Sequence, residues 1–404
     1  MNNHVVNQSR ILELDGIRGV AVLAVVLYHY AVIGPGAPFH TFLYWGRAAF
    51  RLGWSGVDLF FVLSGFLIGG ILLDARMSSR YFQTFYARRS YRILPLYFVW
   101  LSLFPLAAFF YSRWGIPYLP PDPQSYLRLS LHFVFLQTLT YLYPISGRTV
   151  GWYWLGPTWS LAIEEQFYLV VAPVVRVLST RTLVSVLLGT IAVCPILRLL
   201  VYYNWNHSRL FVPLMLCRAD SFATGMLAAI AWKTPAARKW LTQHPKWMNK
   251  ALAFLFVGPL IFTKWSASSS DVFALVFKLE WLAVFFACLI LTVLADNTGK
   301  VAWLMRLSFL RELGRLSYCV YLIHLSVLAG CFAFFLHSEP RLDTAASFRT
   351  VAIAAVLTYC LAWLSWKFLE EPMLKRGHAY KYSDSTSVSY PGSKNPVTAP
   401  NTSC

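Results

Sequence analysis

Arg18 and His29 interrupt an otherwise apolar run, LDGIRGVAVLAVVLYHY. Eleven residues at about 100° each make roughly three turns, so both side chains share one helix face about 16 Å apart. Imidazole can act as base, acid or nucleophile near neutral pH. The competing role is a histidine bonded to a neighbouring helix for packing. Asp58, in GWSGVDLFFVLSGFLIGG, stands at the start of the next apolar run. It is placed to orient or charge-stabilise the imidazole of His29, or else serves as an acid at a helix start. Gly65-x-x-x-Gly69 just downstream fits a seam where two helices touch.

Glu164 and Glu165, in PTWSLAIEEQFYL, are adjacent and so point to different faces of a helix. Only one of them is expected to meet His29, with Glu164 preferred and Glu165 next. The alternative is an acid bonded to Trp159, Tyr168 or an arginine for structure. In FYARRSYRILPLYF, spacings of three and four place Arg88 or Arg89 beside Arg92. Guanidinium forks suit phosphate oxygens, so the three read as holders of a phosphorylated donor. Anchoring charge at the cytoplasmic surface explains the same residues. Arg218 and Asp220, in LCRADSFATGMLAA, read as a buried pair satisfying itself. Ser317, Tyr321 and His324, in GRLSYCVYLIHLS, fall on one face that either lines a cavity or locks helices together. There is no P-loop, no GxSxG elbow, no HExxH, no CxxC and no HxxxxD, so no metal site is expected.

These charges matter because of where they sit. The chain is 57% hydrophobic and 17% aromatic with only 13% charged residues, whereas a soluble domain carries roughly 25% charged residues. A helix needs about 20 mainly apolar residues to cross a bilayer. Runs of that kind occupy 17–34, 54–73, 92–112, 158–178, 182–203, 210–232, 250–264, 272–294, 316–337 and 349–369. An ionisable side chain inside such a run costs at least a few kcal/mol and marks a functional site by default. The net charge of +18 falls in clusters between the runs rather than in one stripe, which argues for membrane topology and against nucleic acid. Six of the seven cysteines lie within apolar runs and read as small buried hydrophobes.

Arg76, Arg80, Arg88, Arg89 and Arg92 make the loop after the second run cytoplasmic. The later basic loops follow it inside only if 126–143, which holds Arg128, His132 and Gln137, does not cross. The expected fold is therefore an all-α, polytopic transmembrane bundle of about ten spans with both termini cytoplasmic. The stretch 126–143 becomes a re-entrant or interfacial element on the outer side. A membrane domain over 1–376 precedes a disordered cytoplasmic tail over 377–404, rich in Ser, Thr, Pro and Tyr.

The strings LDGIRGVAVLAVVLYHY, GWSGVDLFFVLSGFLIGGILL, FYARRSYRILPLYF, TWSLAIEEQFYL, RADSFATGMLAA and GRLSYCVYLIH, in that order, closely resemble the acyltransferase 3 family. These are membrane O-acyltransferases of bacterial cell-surface polysaccharides, nodulation factors and some macrolides. The motifs run from Leu14 to His324, and the likeness covers nearly all of the chain but its tail. The family's Arg/Lys-x10-His pattern falls on Arg18 and His29, and its Arg-x-x-Arg pattern on Arg89 and Arg92. Its second-span Asp falls on Asp58, and its Trp-Ser-Leu…Glu element on Trp159, Ser160 and Glu164 or Glu165.

The resemblance implies transfer of an acyl group, acetyl first, from acyl-CoA to a hydroxyl of a carbohydrate or lipid-linked glycan. The expected site is in the inner (cytoplasmic) membrane, without a metal. The donor phosphates would rest on Arg88, Arg89 and Arg92, with Arg18 at the same mouth. His29, Asp58, Glu164 and Glu165 would do the chemistry, His29 as general base or as acyl carrier. Some members carry an esterase-like domain after the membrane core. About 28 polar residues follow Arg376 here, which implies direct transfer or a separate partner. The competing expectation is a transporter or flippase for a lipid-linked glycan, which would hold charges in its spans without needing His29.

Overall fold

The computed structural model describes residues 11–32, 47, 50–113, 129–138, 150–204, 214–265 and 272–382. Among them the chain forms helices and turns, with no strand. A segment crossing lipid must satisfy its own backbone polar groups, and a helix does so within a single segment. The helices are α1 (Leu12–Ala31), α2 (Gly56–Ala75), α3 (Tyr81–Arg113), α4 (Val150–Leu155), α5 (Thr158–Val177), α6 (Thr180–Asn204) and α7 (Ala219–Lys233). They continue as α8 (Pro235–Gln243), α9 (Pro245–Trp265), α10 (Val272–Ala295), α11 (Lys300–Met305), α12 (Ser308–Leu336), α13 (Ala345–Ser365) and α14 (Glu371–His378). A 3-10 turn, Arg51–Ser55, leads into α2, and a π turn, Trp366–Glu370, joins α13 to α14.

Seven helical stretches among the described residues are long and apolar enough to cross a membrane. They are α1, Arg51–Ala75, Tyr81–Phe110, α6, Phe277–Ala295, α12 and Ala345–His378. The three other expected spans, 158–178, 210–232 and 250–264, correspond to α5, α7 and α9, which are helical but fall outside that set. In α5 the charges are Glu164, Glu165 and Arg176. The 15 residues of α7 rise about 22 Å, short of the roughly 30 Å of hydrocarbon. The apolar run of α9 is diluted by Lys246, Asn249 and Lys250 in its opening turns.

The bundle turns many large apolar side chains outward and holds several charges within its largely apolar interior. Leu169 is 63% and Phe334 74% exposed, while Asp58 and Arg198 are each 0% exposed. Apolar side chains outside and charges inside are what lipid as a solvent selects. Among the helix pairs that approach closely enough for backbone to meet backbone are α1 with α12, and α2 with α7. A Cβ on Gly19 would strike the backbone of Leu310, and one on Gly314 that of Asp15. At the second seam Gly65 faces the Phe222 backbone, Gly69 faces Met226 and Gly225 faces the Val62 backbone. The Gly65-x-x-x-Gly69 seam is thus present. The cysteines Cys194, Cys217, Cys319 and Cys331 are buried and unpaired.

Within 126–143, residues 129–138 are described. The helix at 129–133 breaks at Val134 and Phe135, and Phe135 takes a left-handed backbone with φ 57°. Neighbours hold the break in place. Gln166 donates to the Phe135 carbonyl at 2.9 Å, and Gln137 donates to the Thr158 carbonyl at 2.9 Å. No uninterrupted helix of crossing length fits that stretch.

At the other end of the chain, α14 and the residues after it lie on the first turns of α3. Thr84 Oγ1 donates to the Lys381 carbonyl at 2.9 Å, and Ser78 donates to the Tyr382 carbonyl. The boundary expected at residue 377 falls inside α14, and residues 383–404 lie outside the described set.

Candidate active site

The helices α1, α2, α3, α5 and α12 surround a cavity of about 90 Å³. Its charged wall is Arg18 from α1, Arg89 and Arg92 from α3, and Glu164 from α5. Ser64, Ser160 and three tyrosines, Tyr168, Tyr318 and Tyr321, add hydroxyls. The lining follows α2 from Val57 to Ile68, about 16 Å of helical rise.

Three guanidiniums share this wall with one carboxylate. Glu164 already accepts hydrogen bonds from the Ser64 and Tyr168 hydroxyls. The Tyr168 ring lies 5.8 Å from the Arg89 guanidinium carbon. Arg18 reaches Asp15 at 3.4 Å. Arg92 is half-buried and donates no hydrogen bond to any described residue, and its charged neighbours are Arg18, Arg89, Glu164 and Glu370. On the same wall Arg89 Nε is buried with no hydrogen-bond partner among the described residues, and a guanidinium nitrogen sheltered from water without an acceptor is unfavourable. The wall therefore suits an anion, and phosphate oxygens would complete the forks.

Arg88 and Glu165, expected here as well, face elsewhere. Arg88, rotated by about 100° from Arg89, donates Nε to the Tyr380 carbonyl at 2.9 Å and lies 5.2 Å from the Tyr382 ring centre. The segment after α14 thus holds it outside the cavity wall. Glu165 likewise turns off that wall, and its buried Oε1 has no hydrogen-bond partner.

His29 is half-buried against α12. Its Nδ1 lies 3.0 Å from the Val25 carbonyl and 3.1 Å from His324 Nε2. His324 is 1% exposed, and its Nδ1 is 2.6 Å from the Tyr321 carbonyl. Tyr30 fastens the same corner, donating to the His324 carbonyl at 3.0 Å and lying 2.9 Å from Thr358 Oγ1 of α13. Tyr321 joins this pair to the cavity, since its ring lines the wall and its hydroxyl is 2.7 Å from Ser160 Oγ. The face carrying Ser317, Tyr321 and His324 does both things the spacing allowed: two residues line the cavity and the third grips α1.

The partners expected for His29 are engaged elsewhere. Asp58 is bonded by Arg218, at the start of α7, rather than to His29. Glu164 is held by Ser64 and Tyr168, near the middle of α2, which is the structural alternative foreseen for it. The Arg218–Asp220 pair does not form either. Asp220 pairs with Arg198 of α6 at 2.9 Å, and Arg198 also reaches Glu280 of α10. The reason is rotation: Arg218 precedes α7 with φ −125° and aims at α2, while Asp220, inside the helix, aims at α6. His324 as the partner of His29 was not foreseen, although its shared face with Tyr321 was readable.

The fold and the site define a class: a polytopic helical membrane protein enclosing an anion-attracting cavity beside a histidine pair. Residues 11–367 match the family model described as an acyltransferase domain. The chain belongs to this family, the acyltransferase 3 family. It is 26% identical over 381 residues to the peptidoglycan O-acetyltransferase OatA of Listeria monocytogenes, covering 90% of this chain and 56% of that protein. It is also 26% identical over 376 residues to a Bacillus subtilis protein named "Putative peptidoglycan O-acetyltransferase YrhL", covering 90% of this chain and 55% of that one. The chain thus spans little more than half the length of these relatives. No solved structure matches it.

Proposed function

We propose that the chain is an integral membrane O-acyltransferase that moves an acetyl group from cytoplasmic acetyl-CoA to a hydroxyl of a cell-wall glycan. One observation carries the reading: a cavity with surplus guanidinium whose wall residue Tyr321 backs onto His29 and His324. Arg89 and Arg92 would hold the donor's phosphates, with Arg18 at the same mouth. Glu164 would keep the Tyr168 ring in place under Arg89. The acceptor class follows the names of the relatives, which specify peptidoglycan.

In this reading His29 takes the proton of the acceptor hydroxyl as that oxygen attacks the thioester carbonyl. The carbon–sulfur bond breaks, and the imidazolium returns the proton to the departing thiolate. Acetyl-CoA and an alcohol thereby become an acetyl ester and free thiol, with His29 regenerated. Basic loops on the arginine side favour about ten crossings of the cytoplasmic membrane with both termini inside. Residues 1–376 would form the transfer unit, and 377–404 its tail.

Membranes containing the chain, supplied with acetyl-labelled acetyl-CoA and either peptidoglycan or its lipid-linked precursor, are expected to place alkali-labile label on the glycan. Translocation of a lipid-linked glycan without any acetyl-CoA dependence and without label would sink this reading in favour of a flippase.

A further inference from the structure

Two carbonyls fix the protons of the histidine pair. The Val25 carbonyl can only accept, so His29 Nδ1, 3.0 Å away, carries a hydrogen. The Tyr321 carbonyl can only accept as well, so His324 Nδ1, at 2.6 Å, carries the other. Neutral His324 then has a lone pair on Nε2, and that atom lies 3.1 Å from His29 Nδ1. The His29 N–H is therefore shared between the Val25 carbonyl and His324. The remaining nitrogen of His29, Nε2, keeps its lone pair and has no hydrogen-bond partner among the described residues.

We propose that His324 is the positioning residue of the His29 base, the part a carboxylate plays in a serine-protease triad. The inference rests on the proposed function, in which His29 Nε2 accepts the hydroxyl proton. As Nε2 gains that proton, the Nδ1–H bond to His324 becomes charge-assisted and strengthens. An interaction that is stronger in the transition state than in the ground state raises kcat and leaves donor affinity alone. A second imidazole can do this without placing an unpaired carboxylate in a lipid-surrounded bundle. One turn of α12 links base and donor cavity, because the residue whose carbonyl orients His324 also lines the cavity through its ring.

Two substitutions separate this role from packing. In His324→Asn, the side-chain amide can still donate to the Tyr321 carbonyl, but no atom reaches toward His29. In His324→Gln, Oε1 can stand where Nε2 accepts. The test measures acetyl transfer by the full chain in lipid nanodiscs, with thermal unfolding as a check that each variant is folded. His324→Asn is expected to lower kcat roughly 10- to 100-fold, the kinetic equivalent of one hydrogen bond to a charged group. Its KM for acetyl-CoA should stay unchanged, and His324→Gln should recover a large part of kcat. Equal losses in folded Asn and Gln proteins, or a rise in KM in step with the loss, overturn the proposal. So does a fully active His324→Asn protein beside an inactive His29→Ala protein, which leaves the base assignment standing. A fully active His29→Ala protein instead overturns the base assignment, and this inference with it.

Discussion

His29→Ala is expected to lower kcat for acetyl transfer about 10²- to 10⁴-fold, the usual contribution of a positioned general base. The KM for acetyl-CoA should hold within about 2-fold, because His29 makes an interaction that matters only as the proton moves. The geometry behind this expectation is specific. Arg18 and His29 lie on one helix, but only Arg18 lines the cavity wall with Arg89 and Arg92, while His29 stands against α12. Removing the imidazole should thus leave the cationic wall intact. Steady-state kinetics on purified His29→Ala protein checks the split. A rise in KM with kcat preserved would make His29 a binding residue. A mass increment of one acetyl group on the peptide holding His29 in the wild type would point to a covalent route instead of general-base catalysis.

Asp58→Leu is expected to destabilise the bundle by about 3–5 kcal/mol, the cost of stranding a buried charge by deleting its partner. Asp58 is 0% and Arg218 3% exposed, and they are bonded to each other across α2 and the start of α7. Thermal unfolding in detergent should show the loss directly. The double variant Asp58→Leu with Arg218→Met removes both charges, and stability should return, because replacing a buried ion pair by apolar residues of similar size is often neutral. The double variant also discriminates roles. If Asp58 holds the fold, the restored protein transfers acetyl groups within a few-fold of wild type. A stable double variant without activity would give Asp58 the catalytic part that its position at the start of the second apolar run first implied.

The two cases show what the sequence could and could not convey. A helical period tells which face a residue occupies, and those readings describe the molecule well. Arg89 and Arg92, three apart, both line the cavity; Ser317, Tyr321 and His324 share one working face; Gly65 and Gly69 face α7. The same period does not say which helix stands opposite. Asp58 meets Arg218 from 160 residues away, and His29 meets His324 from 295 away. With several acids and bases at similar depth, pairing is decided by which backbones the glycine seams bring together. Arg88 illustrates a second limit. Its partner is a backbone carbonyl at Tyr380, in a segment whose polar composition carries no period to read. The count of about ten spans meets a third, since α7 at 15 residues is helical and largely buried yet too short to qualify by itself.

In the proposed function the wall of Arg18, Arg89 and Arg92 is where the acyl donor binds. Equilibrium binding of acetyl-CoA to purified protein in nanodiscs tests it most directly, comparing Arg92→Ala with Arg88→Ala. Both changes remove one positive charge from neighbouring turns of α3, but only Arg92 lines the cavity. Loss of Arg92 is expected to weaken binding about 10-fold or more, the worth of a charge-assisted bond to phosphate, while loss of Arg88 shifts it less than about 2-fold. Equal weakening by the two variants, or tight binding without Arg92, would place the donor somewhere other than this wall.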